Sequence, residues 1–179
     1  MGKLLTERLV LRPMKKEDCP AVFAYSSSPN VGINAGWKPH ETQEETLEIM
    51  NLIFLNQETV WGITFPCDDK IIGSIGLVPD GKRENPKVKM LGYGLGEEFW
   101  GKGIMTEAAM AVLDFGFRKM KYDLISAYCF PFNSRSKNVL KKCNFQYEGT
   151  LKQAEEIFNG EIYDNECYAI TKAEYFKVE

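Results

Sequence analysis

Apolar and polar positions alternate from Leu4 to Arg12, the period of a half-buried strand. Lys16-Glu-Asp-Cys-Pro20 then reads as a helix start with Asp18 in the N-cap place, and that helix is predicted to end before Ser26-Ser-Ser-Pro29. A polar loop through Gly32, Gly36 and Pro39 is predicted to lead to Thr42. There Thr42-Gln-Glu-Glu45 has capping-box spacing, and Leu47, Met50 and Phe54 continue a helical stripe. Thr59 to Phe65 and Lys70 to Val78 are strand-like runs joined by Pro66-Cys-Asp-Asp69, a hairpin signal. Val88 to Gly96 is a third run, and its Gly92 and Gly94 predict a bulge or a close approach of backbone or ligand. An amphipathic helix carrying Ala108, Val112, Leu113 and Phe115 follows. A strand over Leu124 to Cys129, a helix over Asn133 to Cys143 and strands over Gln146 to Ile157 and Glu161 to Ile170 complete the pattern. The order β-α-α-β-β-β-α-β-α-β-β predicts an α/β fold on a mixed sheet, largely antiparallel at its start and end.

Composition narrows the function more than the fold. The 179 residues suit one domain, with 44% hydrophobic and 26% charged positions. A net charge of −3 gives no footprint for nucleic acid or membrane. The five cysteines are scattered without a Cys-x-x-Cys pair, and there is one histidine, so the expectation is no metal site and no disulfide framework. With no leader-like or membrane-spanning run, a reduced, cytoplasmic protein is expected.

Chemistry enters at Glu97-Glu-Phe-Trp-Gly-Lys-Gly-Ile-Met-Thr-Glu-Ala108. A strand that passes through a glycine turn into a helix presents several unpaired N–H groups in one direction, with the helix dipole behind them. A pyrophosphate satisfies such donors, and glycine at 101 and 103 keeps side chains out of its way. Neither the P-loop spacing nor Gly-x-Gly-x-x-Gly fits, because Lys102 precedes Gly103 and Ile-Met-Thr follows it. The same turn without a ligand is an ordinary loop, so this stretch alone leaves both readings open.

This stretch resembles the acetyl-CoA loop of the GNAT N-acetyltransferases, in particular their RimJ/RimL-like branch, which modifies N-terminal amines of proteins, above all ribosomal ones. Leu5-Thr-Glu-Arg-Leu-Val-Leu-Arg-Pro13 resembles the branch's first strand. Asn133-Ser-Arg-Ser-Lys-Asn-Val-Leu-Lys-Lys-Cys-Asn-Phe145 resembles its Asn-x-x-Ser helix, and Tyr147 to Glu155 with Asn159, Gly160 and Asp164 its terminal hairpin. The resemblance implies a single GNAT domain over 1–179, its sheet mostly antiparallel, splayed at the cofactor strand and flanked by helices. It implies acetyl-CoA held by Leu95, Trp100, Gly101, Lys102, Gly103, Ile104, Met105, Thr106, Asn133 and Ser136, without a metal. Met105 stands where Gly or Ala is usual, so its side chain is expected to lie away from the phosphates. Leu140 occupies the place of the tyrosine that protonates the thiolate in many relatives. Ser136, matching a RimL-type serine, is therefore the expected donor, and Glu148 matches a RimL-type base. Trp37 and the lone histidine, His40, are expected to line the acceptor cleft.

The implied reaction is direct acetyl transfer from acetyl-CoA to a protein N-terminus. Two alternatives stay open: a small-amine acceptor (an antibiotic, polyamine or amino-acid derivative), and a non-catalytic acyl-CoA-binding module. Dimers are common in this branch, so a homodimer is a further expectation.

Overall fold

The computed structural model describes residues 2–177. Its strands are β1 (Leu4–Leu5), β2 (Val10–Arg12), β3 (Val60–Phe65), β4 (Asp68–Pro79), β5 (Val88–Leu95), β6 (Leu124–Cys129), β7 (Gln146–Glu156) and β8 (Ile162–Thr171). Its helices are α1 (Cys19–Ser26), α2 (Pro29–Ala35), α3 (Gln43–Ile53), α4 (Ile104–Asp114), α5 (Ser134–Lys142) and α6 (Lys172–Lys177). The strands form one sheet in the order β1-β2-β3-β4-β5-β6-β8-β7. Every neighbouring pair is antiparallel except β5–β6, which runs parallel. That pair lasts only from Val88↔Leu124 to Met90↔Ser126, so β5 has an open edge from Leu91 to Leu95. The expected splay lies there.

Several local expectations are corrected. The first strand is two, because Thr6 closes a tight turn by taking the Leu9 N–H on Oγ1 at 2.9 Å and giving its own N–H to the Leu9 carbonyl at 3.1 Å. Asp18 precedes α1 but does not cap that helix with its side chain. Its buried carboxylate accepts from both terminal Arg12 guanidinium nitrogens at 2.7 Å and from the Lys15 N–H at 2.9 Å, and charge-assisted pairs of this kind outcompete a neutral cap. The loop predicted through Gly32 contains α2. Ser28 accepts the Val31 N–H, Pro29 opens the helix, and Gly36 ends it at φ +81°. Thr42 does cap α3, but Glu45 returns to the Glu41 N–H at 2.6 Å, one residue earlier than a capping box requires. The β3–β4 turn is tighter than predicted, since Phe65 already pairs with Asp68. After Asp114 the helix widens into a π-type turn over Phe115–Lys119.

The sheet separates two cores. Val22, Tyr25, Met50 and Ile71 pack beneath α1–α3, while Leu11, Trp61, Ala108, Val112 and Leu140 pack on the α4 side. β5 serves both. Leu91 and Leu95 join the α4-side core. On the other face a Cβ at Gly94 would stand 2.6 Å from the Trp37 ring. Its register against β4 is unbroken from Gly73↔Leu95 to Pro79↔Lys89, so there is no bulge at the glycines. Close approach by Trp37 explains Gly94.

Candidate active site

Gly96 donates its N–H to the Ile72 carbonyl on β4 at 2.9 Å. Strand alternation therefore turns the Leu95 N–H to the opposite, open edge of β5. The Leu95 carbonyl on that edge accepts Trp100 Nε1 at 2.8 Å, which fastens the loop to the strand end. Gly101 and Gly103 have φ of +74° and +75°, the left-handed region that favours glycine. Nothing lies within 4 Å of a Cβ built on Gly101, and no side chain caps α4. The first N–H groups of α4, at Ile104, Met105 and Thr106, thus face the loop without helical partners. Ile104 and Met105 bury their side chains in the core.

These elements enclose a cleft of about 230 Å³ lined by Leu95, Trp100, Gly101, Gly103, Asn133 and Ser136, among others. An extended chain lying along the β5 edge could pair with its backbone while an anion occupies the uncapped helix end. The donor set fits a pantetheine arm carrying a pyrophosphate, and the acyl-CoA it belongs to would supply an activated acyl carbonyl. Glu97, whose charge would oppose an anion, is turned to Ser28 and Asn30 at the start of α2. Lys102 reaches over the Phe99 ring, and Arg135 stacks 4.0 Å from the centre of the Trp100 ring.

Asn133 caps α5 through Oδ1, which accepts the Ser136 N–H at 3.0 Å, and its Nδ2 donates to the Asn34 carbonyl at 2.9 Å. Both ends of the amide are engaged within the protein. Ser136 is buried, and its Oγ shares a 2.7 Å hydrogen bond with the Tyr93 hydroxyl. Burial drives the Tyr93 pKa well above the ordinary phenol value, with the Ser136 bond offsetting only part of this. Leu140 is fully buried. Asn144 follows α5 at φ +61°, the conformation its tolerance of the left-handed region suits.

Beyond Ser136 the splay opens into a second cavity of about 500 Å³, walled by Asp80, Tyr128, Phe130, Glu155 and Asn165. Asp80 is committed: it accepts from Ser126 Oγ at 2.6 Å, Lys82 N at 2.8 Å, Tyr128 OH at 2.9 Å and Arg83 Nη1 at 3.0 Å. Burial alone would raise its pKa, but these donors together hold it below the usual carboxylate value. Glu155 differs. Oε2 accepts Asn165 Nδ2 at 2.9 Å, while Oε1 lies against Gly36 with no donor among the described residues.

Glu148 is elsewhere. It is the extra residue of a bulge between Tyr147↔Tyr168 and Gly149↔Cys167, and it pairs with Arg83 Nη2 at the surface. A second irregularity, between Leu151↔Asn165 and Glu155↔Tyr163 with Gln153 at φ +48°, brings Glu155 to the cavity wall. Neither bulge is legible in the spacing of the sequence, nor are Tyr93 and Glu155 as site residues. Arg8 is a further unpredicted neighbour of the loop, delivered by the β1–β2 turn. It bonds the Lys102 carbonyl at 3.1 Å and Glu107 Oε2 at 2.6 Å.

Trp37 and His40 line a third cavity, on the α1–α3 face. Among the described residues no group of three or more His, Cys, Asp or Glu could hold a metal ion, and no helix is long and apolar enough to cross a membrane. Burial raises the thiol pKa of Cys129 to about 11 and of Cys143 to about 12.

Comparison with known proteins agrees with this geometry. An uncharacterized N-acetyltransferase, p20 of Bacillus licheniformis, is 31% identical over 98% of this chain and 99% of its own. The [ribosomal protein uS5]-alanine N-acetyltransferase of Escherichia coli is 25% identical over 97% of this chain and 92% of its own. The crystal structure of a GNAT-family acetyltransferase from Bacillus anthracis superposes with a TM-score of 0.85 at 26% identity, covering 97% of this chain and all of that one. Residues 8–146 match the family described as "Acetyltransferase (GNAT) domain". With the splayed strand, the uncapped glycine turn and these matches together, the chain belongs to the GNAT family of acyl-CoA-dependent N-acetyltransferases.

Proposed function

We propose that this acetyltransferase belongs to the RimJ/RimL-like branch and acetylates the N-terminal α-amine of a protein, a ribosomal protein in the first instance. The observation that carries the reading is the second cavity, which meets the donor cleft at Tyr93 and Ser136 and contains one carboxylate oxygen without a partner, Glu155 Oε1. The likeness to the uS5-alanine enzyme over nearly the whole chain supports a protein acceptor.

In this reading the Leu95 N–H polarises the thioester carbonyl and stabilises the oxyanion that develops there. Glu155 receives the acceptor as its ammonium ion and draws a proton from it. An α-amine has a pKa of about 7.7–8.0, so a weak base suffices. The new C–N bond forms as the C–S bond breaks, and the second amine proton must end on sulfur. Ser136 and Tyr93 suit that transfer as a pair of neutral hydroxyls, each able to accept one proton while giving another. The raised pKa of Tyr93 keeps it from ionising, which fits a relay rather than a base. Glu148, the base expected from the sequence, acts here as a positioning residue through Arg83, which also holds Asp80 and Tyr128 of the cavity wall.

A CoA-release assay against peptides with varied N-termini, beside a panel of small amines, tests this. Peptide turnover is expected. Turnover of small amines alone would reassign the acceptor, and tight CoA binding without turnover of either would favour a binding module.

A further inference from the structure

The cavity on the α1–α3 face takes no part in the transfer chemistry above, yet it has a volume of about 440 Å³. Two cross-strand pairs, Gly76↔Gly92 and Val78↔Met90, form its floor together with Ser74. Gly76 and Gly92 stand opposite each other, so the middle of the floor carries no side chain. A Cβ built on Gly92 meets no atom within 4 Å. Ile49, Ile53 and Phe54 of α3 and its C-terminal end form an apolar roof.

Ser26, Lys38, Glu45 and Ser74 also line the cavity, and two further polar atoms beside it lack partners among the described residues. Trp37 Nε1 is buried without a hydrogen-bond partner, and indole N–H can only donate. His40 is buried, with Nδ1 2.9 Å from Thr46 Oγ1. The single hydroxyl hydrogen of Thr46 is given to the Thr42 carbonyl at 2.9 Å, so Oγ1 accepts from His40. Nδ1 therefore carries the ring proton and Nε2 keeps its lone pair, with no donor among the described residues. Burial also lowers the His40 pKa and favours this neutral form. Trp37 Nε1 has no surface open to the cavity, so the group left for a ligand is His40 Nε2, which matches the N–H of a peptide group. A longer acyl tail on the donor has no such N–H.

The cavity is continuous with the acceptor side, sharing Ala35, Met90, Gly92 and Tyr93 with the cavity that holds Glu155. We infer that it is the specificity pocket of the acceptor, taking an apolar side chain of leucine or phenylalanine size together with an adjoining peptide group. The inference rests on the N-terminal reading above and names the kind of N-terminus preferred.

The test compares kcat/KM for peptides bearing Gly, Ala, Leu or Phe at the first two positions. Spermidine and acyl-CoA donors of increasing chain length are run alongside, with acetyl-CoA affinity measured separately by calorimetry. Leu or Phe peptides are expected to exceed the Gly peptide by about tenfold or more, and Gly92→Val to cut that ratio by about tenfold. Ile49→Phe fills the cavity from the helix side and should cut the ratio likewise, which covers a failure of Gly92→Val to fold. A ratio near one, or one unchanged in both variants, overturns the inference. So does a Gly92→Val effect confined to donor chain length, which would make the cavity an acyl pocket. Turnover of spermidine without any peptide overturns the N-terminal reading itself, a result distinct from a flat profile among peptides.

Discussion

The donor cleft and the acceptor cavities share β5 but are built in different ways. The donor side comes mainly from one continuous run, the end of β5, the glycine turn and the first residues of α4. Its working groups are backbone N–H donors held by Gly101 and Gly103 in the left-handed region. The acceptor side takes single side chains from β4, β6, β7, β8 and the loop after α2, and on the proposed reading its working groups are Glu155, Trp37 and His40. Backbone donors depend on turn geometry, which a few glycines specify. Side-chain constellations depend on register and bulges, so one extra residue in a strand decides which carboxylate faces the chemistry.

If that contrast is right, Glu155→Gln should have the largest catalytic effect. Its kcat should fall about a hundredfold or more, with acetyl-CoA affinity by calorimetry nearly unchanged. A loss under about threefold would return the role of base to Glu148. On the donor side, Gly103→Val should weaken acetyl-CoA binding about tenfold to a hundredfold. The cause is conformational, because a Cβ there would meet only Arg8 Nη2 at 3.5 Å while φ is +75°. Tyr93→Phe should lower kcat about tenfold and alter the solvent isotope effect, leaving the melting temperature close to wild type. Adding Ser136→Ala to it should cost little more, since paired groups fail as a unit. A full additive loss would separate the two hydroxyls.

Smaller effects belong to the supports. Glu148→Gln removes a half-exposed ion pair and should change kcat by no more than about threefold. A loss matching that of Glu155→Gln would erase the distinction between the two carboxylates. Asp80 titrates below the ordinary carboxylate range when folded, so its network contributes stability above that range and loses it as pH falls through the lowered value. The melting temperature of Asp80→Asn should therefore depend less steeply on acidic pH than that of the wild type.

Most strands were legible in the sequence because their apolar periodicity is long, and the span predicted for Leu124–Cys129 coincides with β6. The Asn133 cap and the left-handed Asn144 were legible for local reasons, as a side chain at a helix start and a residue just past a helix end. α2 was hidden by Gly32, which marks a close approach and not a turn, since a Cβ there would stand 2.8 Å from the Trp37 carbonyl. The pairing of Arg12 with Asp18 spans six positions, but its competition with a helix cap is settled only by packing. In the sequence Tyr93 is one aromatic in a glycine-bearing strand. Its partner Ser136 lies 43 residues along the chain, and nothing local announces the contact.

The alternation of β5 also bears on how such an enzyme diversifies. Leu91, Tyr93 and Leu95 look toward the proton-transfer side, while Met90, Gly92 and Gly94 look toward the cavity under α3. Neighbouring codons thus fall under separate selection. On the proposed reading, substitution at 90 or 92 would shift the range of amines accepted while the Tyr93–Ser136 hydroxyl pair stays in place. A lineage carrying this strand can explore new acceptors one residue at a time and remain an acetyltransferase throughout.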